Sequence, residues 1–151
     1  MSEFARVMGN KVLEVISIEK DAIDTGAFGP KEQFIETSRG TRCGIHYDEN
    51  NQADGGIALR GNFAGAGFIY DVNNDVFYPP RPLDINGQVC NSWLIGSPDW
   101  TWKPPVQIPD DVGTGLPIKS YGWEESTLSW KDTTPVLTPV MQAAFNAKET
   151  T

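Results

Sequence analysis

The chain has 151 residues, enough for one domain with a true core or for a compact part with an extended arm. Its 15 Gly, 11 Pro, 5 Trp, 4 Tyr and 7 Phe favour irregular β structure. The net charge of -8 argues against a nucleic-acid partner, because binding a phosphate backbone depends on clusters of Lys and Arg. No stretch approaches the roughly 20 apolar residues that cross a bilayer, and the first residues lack a signal pattern, so we expect no membrane partner.

The first predicted element is a β-hairpin around Gly9-Asn10. This is a Gly-first two-residue turn, which sets Val7 opposite Val12 and Phe4 opposite Val15. The second strand is apolar on both faces, so we expect it to be covered from both sides.

A loop over 21–31 and a short strand over 34–38 follow. From 39 to 62 the sequence is polar and Gly-rich, with few apolar residues to anchor it. Long segments of this kind are usually functional or disordered. We expect an ordered surface excursion that touches a neighbouring subunit, and its order before assembly stays open.

The stretch GAGFIYDVNNDVFYPPRP, over residues 65–82, predicts a central hairpin. If Asn73-Asn74 forms a two-residue turn, Tyr70 lies opposite Phe77. The double proline Pro79-Pro80 then ends the pairing, because neither residue can donate to a ladder.

Two aromatic residues seven positions apart recur along the chain. The pairs are Tyr70 with Phe77, Trp93 with Trp100, and Trp123 with Trp130. A turn at Ser126-Thr127 would place the last two rings across a ladder from each other, and Asn86-Gly87 is a further strong hairpin signal. The pattern predicts a loose repeat of hairpins.

The C-terminal part differs from the hairpins. Residues 103–116 are rich in Pro, Gly and Asp and indicate a stiff linker. Later, Thr138-Pro139 supplies an N-cap and a first-turn proline for a short helix. A helix of about ten residues is unstable alone, so it must dock on its own domain or on a partner. Its apolar stripe, a candidate interface, consists of Val140, Met141, Ala144 and Phe145.

The sequence predicts no catalytic residue, no cofactor and no metal site. Cys43 and His46 could suggest nucleophilic catalysis or half of a metal site, but zinc needs about four ligands and no second pair is present. The acidic loop over 71–75 lacks the Gly and Glu that an EF-hand requires. Cys43 and Cys90 could pair if their Cα atoms came within about 7 Å, although free thiols are favoured.

The five Trp allow two interpretations. Exposed rings can stack on sugars, which would suit a carbohydrate-binding module, whereas buried rings would pack small hairpins together. Packing is favoured. The rings considered as exposed candidates for an interface are Trp102, Trp123 and Trp130.

Several motifs in a fixed order carry a resemblance to a known family. They are HYDENN at 46–51, ALRGNFAGAGFIYDVNNDVFYPPRP at 58–82, SWLI and WTWKPP within 92–105, and YGWEESTLSW at 121–130. Together they resemble small virion-associated structural proteins of tailed phages that infect marine bacteria, cyanobacteria especially. The resemblance covers residues 4–131. The tail from Thr133 to Thr151 departs from it.

The resemblance implies a non-enzymatic virion component. We expect a capsid decoration or cement accessory that binds major capsid or tail proteins, as a homo-oligomer or in many copies on the particle. A tail-associated accessory for fibre attachment or the baseplate is the alternative, and a host-carbohydrate-binding module is a rival of a different class. The expected location is the virion, after synthesis in the host cytoplasm.

The predicted fold is mostly β: a small antiparallel domain built from successive β-hairpins, with Pro/Gly-rich connections and a short C-terminal helix. The expected divisions are 1–82 for the N-terminal hairpins, 83–132 for the Trp-rich hairpins and their linker, and 133–151 for the C-terminal arm.

Overall fold

The computed structural model describes residues 2–149, apart from the side chains of Phe145 and Glu149. The fold is mostly β and antiparallel with a short C-terminal helix, as predicted. The strands are β1 (Ser2–Met8), β2 (Lys11–Ile18), β3 (Phe34–Thr37), β4 (Thr41–Arg42), β5 (Ile45–His46), β6 (Ile69–Asp71), β7 (Val76–Tyr78), β8 (Tyr121–Glu124) and β9 (Ser129–Asp132). The α-helices are α1 (Lys20–Asp24) and α2 (Pro139–Glu149). Within residues 2–149, neither helix combines the length and apolar character needed to cross a bilayer.

A five-stranded antiparallel sheet in the order β3-β1-β2-β6-β7 organises the first part of the chain. Its buried cluster consists of Ala5, Val7, Val12, Ala64 and Phe77. A second cluster joins Phe4 and Phe34 to Ile23, which is 3 % exposed. Ile23 comes from α1, so part of the segment predicted as a loop over 21–31 is helical. The helix therefore contributes one apolar side chain, Ile23, to a cluster with residues of β1 and β3.

The β1–β2 hairpin has the predicted turn but only part of the predicted register. Gly9 adopts a φ of +64°, and Val7 pairs with Val12. Phe4 pairs with Ile16 and not with Val15, because the register shifts next to Arg6. The extra residue is Leu13 of β2, and this strand is also more open than predicted, since Leu13 is 45 % exposed.

The β6–β7 hairpin has the predicted register around a wider turn. Tyr70 pairs with Phe77, and their ring centroids lie 5.0 Å apart. The loop contains the four residues 72–75 because Asp71 accepts hydrogen bonds from the backbone N–H and side-chain amide of Asn74, at 3.1 and 2.8 Å. Asp75 adopts a φ of +53°. Side-chain bonding therefore selects the longer turn.

The chain divides into two units that interleave along the sequence. The first runs to Pro80 and resumes over Ile95–Lys103, and the second consists of Arg81–Leu94 and the chain from Pro104 onward. The change at residue 80 lies near the expected division at 82. Residues 95–103 return to the first unit because Trp100 and Trp102 pack on Tyr78, with centroid distances of 6.3 and 5.9 Å. Residues 93–100 accordingly form no hairpin.

Asn62 joins three segments of the first unit. Its side-chain oxygen accepts the backbone N–H of Cys43 at 2.8 Å. Its side-chain nitrogen donates to the carbonyl oxygens of Phe77 at 2.9 Å and Trp100 at 3.1 Å. Residues 95–103 are thereby fixed to β7 by a buried amide as well as by aromatic packing.

The second unit contains the β8–β9 hairpin and α2. Trp123 pairs with Trp130, as predicted, and Leu128 adopts a φ of +50° at the end of the turn. A small bridge between Leu83 and Val89 surrounds the predicted Asn86-Gly87 turn. In α2, the Thr138 hydroxyl oxygen accepts the Met141 backbone N–H at 3.3 Å, so the predicted N-cap is present.

Candidate functional site

Three indole rings of the second unit form a compact cluster. The ring centroids of Trp123 and Trp130 lie 5.2 Å apart, and Trp93 lies 6.0 Å from each of them. Trp123 is 4 % exposed. It therefore packs the hairpin and offers no exposed face to a sugar, which is the packing role that the sequence favoured.

Glu125 holds this cluster in place. Its carboxylate accepts hydrogen bonds from the Trp123 indole N–H at 2.7 Å, and from the Ser92 backbone N–H at 2.7 Å and hydroxyl at 2.8 Å. Its backbone N–H donates to the Asp84 carboxylate at 2.9 Å. The Trp123 bond, with those from Ser92, holds the pKa of the Glu125 carboxyl below its usual value. Glu125 connects β8 to the Asn86-Gly87 turn.

An open cleft of about 570 Å³ lies beside the cluster, and we name it the Trp cleft. The Trp130 indole N–H donates to the Val106 carbonyl oxygen at 2.8 Å, which fixes the Pro-rich segment after Lys103 against β9. Among the described residues, the Trp93 Nε1 is a buried atom without a hydrogen-bond partner. Six residues, none of them charged, line the cleft: Trp93, Pro104, Pro105, Gln107, Ile108 and Trp130.

The described side chains of the C-terminal helix contribute to neither buried cluster. Every side chain that the structure describes in α2 is exposed, including Ala144. The exposed fractions are 81 % for Val140 and 46 % for Met141, and Val136 in the preceding linker is 96 % exposed. The side chain of Phe145, the fourth residue of the predicted stripe, lies outside the described part. The stripe is thus available to a partner.

Hydrogen bonds fix the first two residues of the linker that leads to α2. The Ser120 backbone N–H donates to the Thr134 hydroxyl at 3.1 Å, and the Thr133 backbone N–H donates to the Ser120 carbonyl at 2.9 Å. The Thr134 backbone N–H donates to Asp132 at 2.8 Å. Hydrogen bonds from Thr134, together with Lys119, lower the pKa of Asp132 to about 2. The first two residues of the linker are therefore fixed beside the β8–β9 hairpin.

The polar excursion of the first unit is ordered by its own side chains. The Nδ1 of His46 lies 2.7 Å from the Asp54 carboxylate, and this hydrogen bond lowers the pKa of Asp54. Gly40 and Gly56 flank the ring, because a Cβ at either position would come within 3.0 Å of a His46 nitrogen. The Arg42 guanidinium stacks 3.6 Å from the Tyr47 ring centroid. The contact with Asp54 thus gives His46 a structural role in this loop.

Neither cysteine forms a disulfide. Cys43 is an exposed free thiol, and Cys90 is a buried one whose pKa is raised by desolvation. They belong to different units. Within residues 2–149, no group of three or more His, Cys, Asp and Glu side chains is arranged to hold a metal ion.

The structure separates the Trp residues that the sequence grouped. Trp102 belongs to the first unit, is half-buried, and donates its indole N–H to the Pro79 carbonyl oxygen at 2.8 Å. Trp123 and Trp130 are neighbours in the second unit, and only Trp130 of the two borders the Trp cleft. The sequence did not predict Glu125 or the cleft. A usable signal for Glu125 is its place two residues after Trp123, close enough along the chain for its carboxylate to accept the indole N–H.

No protein-family model, no curated protein and no solved structure matches this chain.

Proposed function

We propose that this chain is a non-enzymatic structural subunit of a phage particle and acts by binding other virion proteins. The observation that carries the proposal is α2, whose described side chains are all exposed although Val140 and Met141 are apolar. An isolated helix of this length is marginal in water, so its apolar stripe needs a contact surface. The resemblance of residues 4–131 to small virion-associated proteins of tailed phages supports a place in the virion.

The hairpin architecture supports a binding role. The described strands are at most eight residues long, a Pro-rich segment connects β7 to β8, and the buried clusters are small for 151 residues. Partner burial adds stability that a thin core lacks. A capsid decoration or cement accessory fits best, and a tail-associated accessory is the alternative place on the same particle.

The test is the copy number of this chain per purified virion, measured by quantitative mass spectrometry against the major shell protein. Hundreds of copies would fit a decoration that follows the shell lattice, whereas a few dozen or fewer would fit a tail or vertex component with cyclic symmetry. Absence from the virion would overturn the proposal.

A further inference from the structure

The Trp cleft and the tail share an uncommon property for a chain with a net charge of -8. The six residues that line the cleft carry no charge, and residues 135–147 carry none either. Two copies with this net charge repel each other, and a contact between these two uncharged surfaces adds no like-charge pair to that repulsion. Both lie in the second unit, and each leaves apolar side chains open to solvent.

The composition of each surface also suits the other. A cleft walled by indole and proline rings is the kind of groove that receives extended, proline-containing segments. The tail offers such a segment, since Pro135 and Pro139 bracket Val136 and Leu137 just before α2. Val136 and Val140 are the most exposed of its described apolar side chains, at 96 % and 81 %.

The tail does not fill the cleft of its own chain. Hydrogen bonds fix Thr133 and Thr134 to Ser120. Only residues 135–138 therefore separate these two fixed residues from α2. Pro135 and Pro139 restrict the residues before them to extended backbone, which stiffens this short connection and limits how sharply it can turn back toward its own chain. All described side chains of α2 are exposed.

We propose that the occupant of the Trp cleft is the tail of a second copy of this chain, exchanged reciprocally. Val136, Val140 and Met141 of one copy pack against Trp130, Pro105 and Ile108 of the other, and the two contacts are equivalent by two-fold symmetry. The inference rests on the proposed function, in which the tail is an assembly contact, and it names the first partner of that contact. The dimer is then the unit that joins the particle.

The experiment measures the mass of the full chain by sedimentation equilibrium over a range of concentrations. The tail variant Val136→Glu/Val140→Glu and the cleft variant Ile108→Glu place acidic groups in the two proposed surfaces. Gln142→Glu is the control for added charge, because it introduces one acidic group, as Ile108→Glu does, on the side of α2 opposite Val140. Wild type and Gln142→Glu are expected to dimerise, and the other two variants to be monomeric with unchanged near-ultraviolet circular dichroism.

A mixture of the two monomeric variants gives the sharpest test. The intact tail of the cleft variant can enter the intact cleft of the tail variant, so an equimolar mixture is expected to form a heterodimer through one contact. A mixture that stays monomeric at tenfold higher concentration would overturn the exchange.

Three other results would also overturn it. A dimer that survives both sets of substitutions would place the interface elsewhere. A monomeric wild type whose Trp emission shifts red in the tail variant would put the tail in its own cleft. A monomeric wild type whose emission shifts with host polysaccharide would assign the cleft to sugars. The virion copy number is independent of these results, so a monomer found at high copy would reject only the exchange.

Discussion

The amide of Asn62 meets three segments of the first unit and uses both of its polar atoms. Its oxygen accepts from Cys43, and its nitrogen donates to two carbonyl groups, those of Phe77 and Trp100. The residue is 9 % exposed, so water does not compete freely for these atoms. A buried polar side chain with all three bonds formed positions the segments it joins more specifically than apolar contact would.

The substitution Asn62→Asp tests this role without changing the size of the side chain. A carboxylate cannot donate, so it would face the carbonyl oxygens of Phe77 and Trp100 with no proton between them. We expect the free energy of unfolding to fall by about 1–3 kcal/mol, the usual range for buried groups left unsatisfied. Urea denaturation followed by Trp fluorescence measures it.

The matched control is Asn10→Asp, at an exposed hairpin turn that tolerates either residue. Its unfolding free energy should stay within about 0.5 kcal/mol of wild type, as for most surface substitutions. Equal losses in the two variants would show that the three contacts of Asn62 contribute nothing specific.

Single polar residues such as Asn62 and Glu125 are hard to predict from the sequence. Glu125 follows another glutamate at a hairpin tip, where a charge normally serves only to keep the turn in water. Its bonds to Ser92 and Asp84 span 33 and 41 positions of the chain, and no local pattern encodes them. The pairing of Val7 with Val12 is different, because the local Gly9-Asn10 turn between them already sets it.

At the scale of elements, the positions of the turns were predictable, whereas turn length and strand irregularity were not. The turns predicted as two residues at Asn73-Asn74 and Ser126-Thr127 each contain four. Gly9 and the pairing of Trp123 with Trp130 were predicted from the residues at the turns. The extra residue Leu13 in β2 was missed, because a bulge leaves no mark in an apolar run. The aromatic spacing of Trp93 and Trp100 was misleading, since packing on Tyr78 takes Trp100 into the first unit.

The end of β9 should be sensitive to acid. The pKa of Asp132 is about 2 in the folded chain against an ordinary 3.8, so its bonds stabilise the fold above pH 3.8 and are lost as the pH falls toward 2. We expect Asp132→Asn to be less stable than wild type at neutral pH. The difference in urea midpoint should close as the pH falls between about 4 and 2.

Asp110→Asn is the control, because it removes an exposed carboxylate from the same unit. Its urea midpoint at neutral pH should lie close to that of wild type, as for most surface substitutions. A difference for Asp132→Asn that persists at the lowest pH would show that the carboxylate charge is not what stabilises the start of the linker.

At the scale of the whole molecule, the tail was predictable and the Trp cleft was not. Thr138-Pro139 and the apolar stripe mark α2 within a dozen residues of sequence. The cleft needs Trp93, the segment 104–108 and Trp130 together, which only the folded second unit provides. One long-range bond, from the Trp130 indole to the Val106 carbonyl, ties the segment 104–108 to β9.

Deletion of residues 133–151 is expected to reduce incorporation into virions while the hairpins stay folded. The tail contributes exposed apolar surface but no residue to either buried cluster, so its loss removes an assembly contact and not the core. Copies per particle, counted by mass spectrometry, and the urea midpoint are the two measurements.

A second deletion that begins at residue 135 retains the contacts of Thr133 and Thr134 with Ser120. It should restore any stability lost by the longer deletion without restoring incorporation. Normal incorporation of either shortened chain would show that the tail is not the assembly contact.

The interleaving of the two units limits how this protein can be rearranged by recombination. A gene fusion that joins a foreign sequence at residue 82 would carry away β6 and β7 without Trp100 and Trp102, which cover Tyr78. The same break would leave residues 95–103 attached to the second unit, with the aromatic rings exposed. Residues 81–94 pack in turn with the chain after residue 104, through the bonds of Ser92 and Asp84 to Glu125. We therefore expect the residues up to Asp132 to be exchangeable only as one block, and foreign sequence to be tolerated only in the tail.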